Sequence, residues 1–222
     1  MGNEEETILE AQWNSLPDYT DENSSFLIMA DVSQSMNGRP LATSVGLAMY
    51  YAQRNKGVFK DKFMTFSSKP ELVSIQGKTL KEKIINMVNS DWLMNTDLEA
   101  ALRLVLDTAV KFKANQNELP TSIVIISDME IDRCAKPSNN NFYDEMKKEC
   151  KSNGYNIPNI VFWNVDSRHD TYHASFNTKG VQLASGQSTR IFLNLSKGLN
   201  LTPYEYVLQT LNDERYNGIT IN

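Results

Sequence analysis

Cysteine, histidine and proline are scarce in this 222-residue chain, at two, two and seven residues. Two cysteines, Cys134 and Cys150, make no disulfide framework, so a reducing, cytoplasmic setting is the default expectation. The two histidines, His169 and His173, are spaced i, i+4 like a helical metal pair. They lack a third cysteine or histidine ligand, and they read as loop histidines. No apolar run approaches the roughly 20 residues of a membrane span, and no signal-peptide pattern opens the chain. Met1-Gly2 begins like a myristoylation signal, but Glu6 stands where Ser or Thr is required. Basic residues are in deficit, 22 against 27 acidic, for a net charge of −5. No basic stripe offsets that balance, which argues against nucleic-acid phosphate as a partner. No G-x-G-x-x-G turn follows the first apolar run, which removes dinucleotide binding. Internal repeats and low-complexity tracts are absent too.

What remains is ordinary globular composition, 41% hydrophobic and 22% charged, of a length that suits one large domain. Residues 1–24 are acidic and polar and read as a lead-in or linker that Trp13 and Leu16 can pin but that is expected to be a solvated tail. Residues 25–222 read as the folded domain. Apolar, β-branched runs at 26–30, 61–66, 71–75, 121–127, 158–165 and 180–184 predict strands, the second and third joined by the hairpin-like turn 67–70. Between them, helical spacing follows Pro40 and recurs after the capping-box pairs Thr79/Glu82 and Thr96/Glu99. A further helix carries Phe142, Met146 and Cys150, and two more are expected from Ser188 and after Thr202-Pro203. Strands alternating with helices predict an α/β fold. Its sheet is doubly wound and mostly parallel, of about six strands with one antiparallel edge strand, and helices cover both faces.

The stretch Phe26-Leu-Ile-Met-Ala-Asp31-Val-Ser33-Gln-Ser35-Met-Asn-Gly38 carries the chemistry. A buried strand ends in an aspartate and two serines at alternate positions, which project the same way from an extended loop. The run 121–127 also ends in acid, at Asp128. Ligands of open α/β sheets bind beyond the carboxyl ends of strands, where the strand order reverses. If the two strands are neighbours, Asp31 and Asp128 face one crevice, and Thr96 at the start of the longest helix can complete a ring of oxygens. Oxygen-only donors suit a hard divalent cation: Mg²⁺ first, with Mn²⁺ or Ca²⁺ as alternatives.

The order Asp31-x-Ser33-x-Ser35, Thr96-Asp97, Asp128 resembles a von Willebrand factor A domain with a metal-ion-dependent adhesion site, over roughly residues 24–215. Asp31-Val-Ser-Gln-Ser-Met-Asn resembles intracellular members such as the Ro (TROVE) autoantigen's A domain. Asn95-Thr-Asp97, Ser127-Asp-Met-Glu130 and Ile160-Val-Phe-Trp-Asn164 are closer still to an uncharacterised domain-of-unknown-function family, whose members carry this module at the C-terminus of larger cytosolic proteins. That family has no established activity. The A-domain resemblance implies hydroxyl ligands from Ser33, Ser35 and Thr96, with Asp31 and Asp128 acting directly or through water. It also implies a coordination position left open for a partner's carboxylate, and hence a non-enzymatic protein-interaction module.

Ordinary roles compete with this reading. Asp31 and Asp128 can cap turns, Ser33 and Ser35 can be turn hydroxyls, and Thr96 is already explained by its capping box. Asp97 is a first-turn dipole partner before it is anything nearer a metal. Arg39, Glu130 and Asp132 read as solvated charges around the motif, Cys150 lies on the apolar face of its helix, and Trp163 is assigned to the core beside Asn164 at the same rim. A Mg²⁺-dependent phosphatase of haloacid-dehalogenase type also starts from a strand-end aspartate. It needs an acid two residues on, where Ser33 stands. A Ro-like role with RNA is disfavoured by the acidic balance and by the lack of a helical-repeat domain.

Overall fold

The computed structural model describes residues 3–20, 24–90, 97–128, 142–166 and 181–187, with a few isolated positions beyond. Six strands form one sheet: β1 (Phe26–Ala30), β2 (Lys62–Thr65), β3 (Leu72–Ser74), β4 (Ser122–Ser127), β5 (Asn159–Asn164) and β6 (Val181–Ser185). Their order is β3-β2-β1-β4-β5-β6. All neighbours pair in parallel except β2 with β3, which are antiparallel at one edge. The order reverses between β1 and β4, so the two most central strands leave the sheet on either side of a switch point. The α/β sheet and its antiparallel edge strand are those expected from the alternation of runs.

Alternate residues of β1 sort into two cores. Leu27 and Met29 pack with Leu102, Val105 and Ala109 of α4 (Leu98–Phe112) and with Met146 and Cys150 of α5 (Phe142–Ser152). Phe26, Ile28 and Ala30 pack on the opposite face with Val45, Ala48 and Met49 of α2 (Arg39–Ala52) and Met87 of α3 (Leu80–Val88). Because both faces are covered, β1 and β4 are apolar at nearly every position rather than alternating with polar residues. The Thr79/Glu82 pair forms the expected capping box at the start of α3. The two helices expected after residue 187 lie largely outside the described residues.

The opening segment differs from the solvated tail its composition predicts. Residues Asn3–Asn14 form a helix, α1, clasped to the body by polar contacts. Glu6 bridges Lys81 at 2.7 Å, and Glu10 Oε2 accepts the Leu80 amide at 2.7 Å, capping α3 from outside. Trp13 Nε1 donates to Gln53 Oε1 at 3.0 Å. The chain after α1 continues the clasp: Tyr50 Oη accepts the Tyr19 amide and donates to the Pro17 carbonyl, while Arg54 donates to the Leu16 carbonyl and stacks 3.6 Å from the Tyr50 ring centroid. The contacting side chains of α1, Glu6, Glu10 and Trp13, form a stripe that is two-thirds acidic. A search for apolar periodicity therefore finds nothing there.

Removing the clasp has a measurable cost. The double variant Glu10→Ala/Trp13→Ala loses an external cap and a partly buried ring, and is expected to lower the unfolding free energy by about 2 kcal/mol. Urea denaturation reads this directly; a change within about 0.5 kcal/mol is what a solvated tail gives.

Candidate functional site

Parallel pairing extends one residue beyond β1, since the Asp31 amide donates to the Ile126 carbonyl at 2.9 Å. With Ala30 registered on Ile126, this brings Asp31 alongside Ser127, and Asp128 follows at the end of β4. Both acids are nearly inaccessible, Asp31 at 4% and Asp128 at 3% exposure. The Asp31 carboxylate is held from two sides. Oδ1 accepts the Ser33 amide at 2.8 Å, the turn expected where an aspartate side chain binds the backbone two residues on. Oδ2 accepts the Ser127 hydroxyl at 2.7 Å.

The loop then turns through a short 3-10 segment, Gln34–Met36, with Met36 fully buried beneath it. That anchor leaves Ser33 and Ser35 with hydroxyl oxygens 2.9 Å apart. Gly38 follows with φ +93, a left-handed conformation that lets the chain reverse into α2 with Pro40 in its first turn. Asp31 and Asp128 thus lie at the carboxyl ends of the neighbouring strands β1 and β4, close enough for the charge of one to act on the other, with Ser33 and Ser35 in the loop that follows β1. Thr96 lies outside the described residues, as do Glu130, Asp132, Cys134, His169 and His173.

The start of α4 corrects one expectation. Its cap is Asp97, whose Oδ1 accepts the Ala100 amide at 3.0 Å, so the helix begins one residue later than the Thr96/Glu99 spacing predicts. Asp97 is thereby engaged in capping. The Asp97 amide also makes a long contact, 3.5 Å, to the carbonyl of Ser67 past the end of β2, which sets the start of α4 at the same carboxyl end of the parallel strands as Asp31. Glu99 instead pairs with Arg103, which also holds Glu149 of α5.

Ser127 is the site residue that motif reading passes over. Its sequence signal is a polar residue closing an otherwise apolar β-branched strand, immediately before the acid. Trp163 is core, with Nε1 donating to the Gly186 carbonyl at 2.7 Å, and Asn164 Oδ1 accepts the Asp166 amide at 3.2 Å. Arg39 is exposed at the first turn of α2. Cys150 is a free, buried thiol facing the α4 side of the sheet.

Electrostatically the crevice is strained. Burial pushes the Asp31 carboxyl above its ordinary value of 3.8, and the charge of Asp128 adds to the rise; the Ser33 amide and the Ser127 and Ser33 hydroxyls partly oppose it. Among the described residues no group of three or more His, Cys, Asp or Glu side chains is placed to hold a metal. The crevice offers two carboxylates and neighbouring hydroxyls, a donor set without nitrogen or sulfur.

These features define an α/β protein with a Rossmann-like sheet and a polar crevice at its switch point. The chain belongs to the family described as Domain of unknown function (DUF7788), whose model matches residues 25–214. It is also 24% identical over 219 residues to "Uncharacterized protein L728" of Acanthamoeba polyphaga mimivirus, an alignment covering 97% of this chain and 38% of that protein. The chain therefore spans less than two-fifths of the length of that relative. Among the described residues no helix is long and apolar enough to cross a membrane.

The raised pKa of Asp31 sets a direction for stability. The folded state binds the Asp31 proton more tightly than the unfolded chain does. The contribution is therefore fully present below pH 3.8 and is lost as the pH rises through the raised folded value. Thermal melts in EDTA should show wild type losing stability relative to Asp31→Asn across that window. Parallel profiles for the two proteins would mean that the carboxylate carries no burial penalty.

Proposed function

We propose that this domain is a divalent-cation-dependent protein-interaction module of the von Willebrand factor A type. In this reading Asp31, Ser33, Ser35, Thr96 and Asp128 form a metal-ion-dependent adhesion site, and the occupant of its open position is an acidic side chain of a partner protein. One observation carries the reading. Two almost fully buried carboxylates, Asp31 and Asp128, end the neighbouring strands β1 and β4 at the switch point, and the loop after β1 carries a pair of serine hydroxyls 2.9 Å apart.

Two buried carboxylates repel, and among the described residues the groups that stabilise the Asp31 carboxylate are an amide and hydroxyls, with no cationic side chain. A divalent cation supplies the missing charge. Oxygen donors at hydroxyl and carboxylate suit Mg²⁺, Mn²⁺ or Ca²⁺ over softer metals. Ser33, Ser35 and Asp31 would hold the ion from the β1 side, Asp128 from the β4 side and Thr96 from the start of α4. Neutral hydroxyls leave most of the ion's charge uncancelled, so an anionic ligand from outside completes it. The capping of α4 by Asp97 supports the part given to Thr96, because a capping hydroxyl would be committed to a backbone amide.

Isothermal titration of Mg²⁺ and Mn²⁺ into wild type and into Asp31→Ala tests the reading. Wild type is expected to bind one ion saturably and Asp31→Ala not at all, with Thr96→Ala weakened about tenfold, the scale of one lost ligand. Equal binding by wild type and Asp31→Ala overturns it. Cation-dependent turnover of an aryl phosphate by wild type alone would replace it with a hydrolase.

A further inference from the structure

At the opposite end of the sheet from Asp31, where β5 begins, lies a cleft of about 380 Å³ between the last turns of α5 and the loop that follows. Tyr143, Lys147 and Lys151 line it from one face of α5 at i, i+4, i+8, and Tyr155, Asn156 and Asn159 line the other wall. We propose that this cleft binds a small ring-bearing phosphomonoester, with the phosphate on Lys147 and Lys151 and the ring between the two tyrosines.

The wall opposite α5 is preformed. Gly154, at φ +83, ends the helix, and the Tyr155 amide donates to the Cys150 carbonyl at 2.9 Å while the Gly154 amide donates to Lys151 at 3.1 Å. This is the six-to-one and five-to-two pair of a Schellman cap. It satisfies the Cys150 and Lys151 carbonyls, two of the four left without an intrahelical partner at the negative end of the helix. Tyr155 is then bolted in place, since its hydroxyl donates toward the carbonyls of Ala109 and Ala114, at 3.2 and 3.0 Å. The Asn156 amide is anchored on Gln116 Oε1 at 2.7 Å. A site whose walls are fixed before binding loses little entropy when a ligand arrives.

Charge selects the class of ligand. The chain carries a net −5, and α5 itself bears Asp144, Glu145 and Glu149, yet among the described residues no acid lines the cleft. Glu149 is turned to Arg103, and among the described residues neither Lys147 nor Lys151 has an ion-pair partner. Two ammonium groups one turn apart suit a dianionic head better than a single carboxylate. Burial raises the Tyr143 hydroxyl above its ordinary value, so it stays protonated as a donor. The volume falls at the small end of the range for small-molecule sites, too small for a macromolecular segment. Tyr143 and Tyr155 both line the cleft and supply aromatic surface for a planar group.

Titration calorimetry in EDTA, which keeps divalent cations out of the measurement, tests the proposal with four probes: adenosine 5′-monophosphate, phenyl phosphate, inorganic phosphate and adenosine. At least one of the two ring phosphates is expected to saturate the wild-type chain, with inorganic phosphate and adenosine each about tenfold weaker or worse. Lys147→Gln/Lys151→Gln is expected to reduce that binding at least about tenfold with an unchanged melting curve, whereas Lys148→Gln, on the same helix but outside the cleft, leaves it intact. Tyr143→Phe gives a second, smaller loss through the hydroxyl donor. The proposal is overturned if neither ring phosphate saturates, if adenosine or inorganic phosphate binds as tightly as the ring phosphates, or if the double lysine variant binds like wild type.

Discussion

Asp31 belongs at once to the sheet and to the crevice. Its amide continues the β1–β4 ladder to Ile126, while its carboxylate accepts the hydroxyl of Ser127 from the neighbouring strand and the amide of Ser33 from its own loop. Shifting β1 against β4 by one residue would exchange the two core faces and take Asp31 away from Ser127. The register that packs Leu27 and Met29 on one side and Ile28 and Ala30 on the other therefore also sets the polar group. Hydrophobic burial supplies the alignment, and the site inherits it.

That inheritance carries an electrostatic consequence. A carboxylate closed off by apolar strands and placed near a second one is unfavourable as an anion, and hydroxyl and amide donors relieve only part of the cost. Proteins tolerate such arrangements where the surrounding structure over-determines them. Here Met36 beneath the loop, the switch-point geometry and the capped start of α4 all do so.

Much of this was legible because the governing signals are local. Six apolar runs, their turn residues and the acids at their ends are read along a single strand at a time, and the parallel order follows from the helices between them. The position of Asp31 beside Asp128 follows from that order. What escaped reading is interaction between distant polar groups. Ser127 matters through its register with Asp31, which no local pattern expresses. Asp97 and Thr96 are both competent caps, and choosing between them needs the backbone of α4. The α1 segment escaped for a plainer reason: its contacts run through Glu6, Glu10 and Trp13, and its apolar Ile8 is exposed. Periodicity in hydrophobicity is blind to a helix that docks by charge and hydrogen bonds.

The α1 clasp also changes what α2 is. Fourteen residues at a helical rise make a rod about 20 Å long. One end of that rod emerges from the Ser33–Ser35 loop, and at the other Tyr50, Gln53 and Arg54 grip the segment that leads into the domain. Chain entry and polar crevice are thus two ends of one stiff element, though they are far apart in sequence logic. A sliding of α2 at the Ser33–Ser35 loop has to be matched at the clasp. The α1 clasp and the loop that carries Ser33 and Ser35 are mechanically joined by one helix.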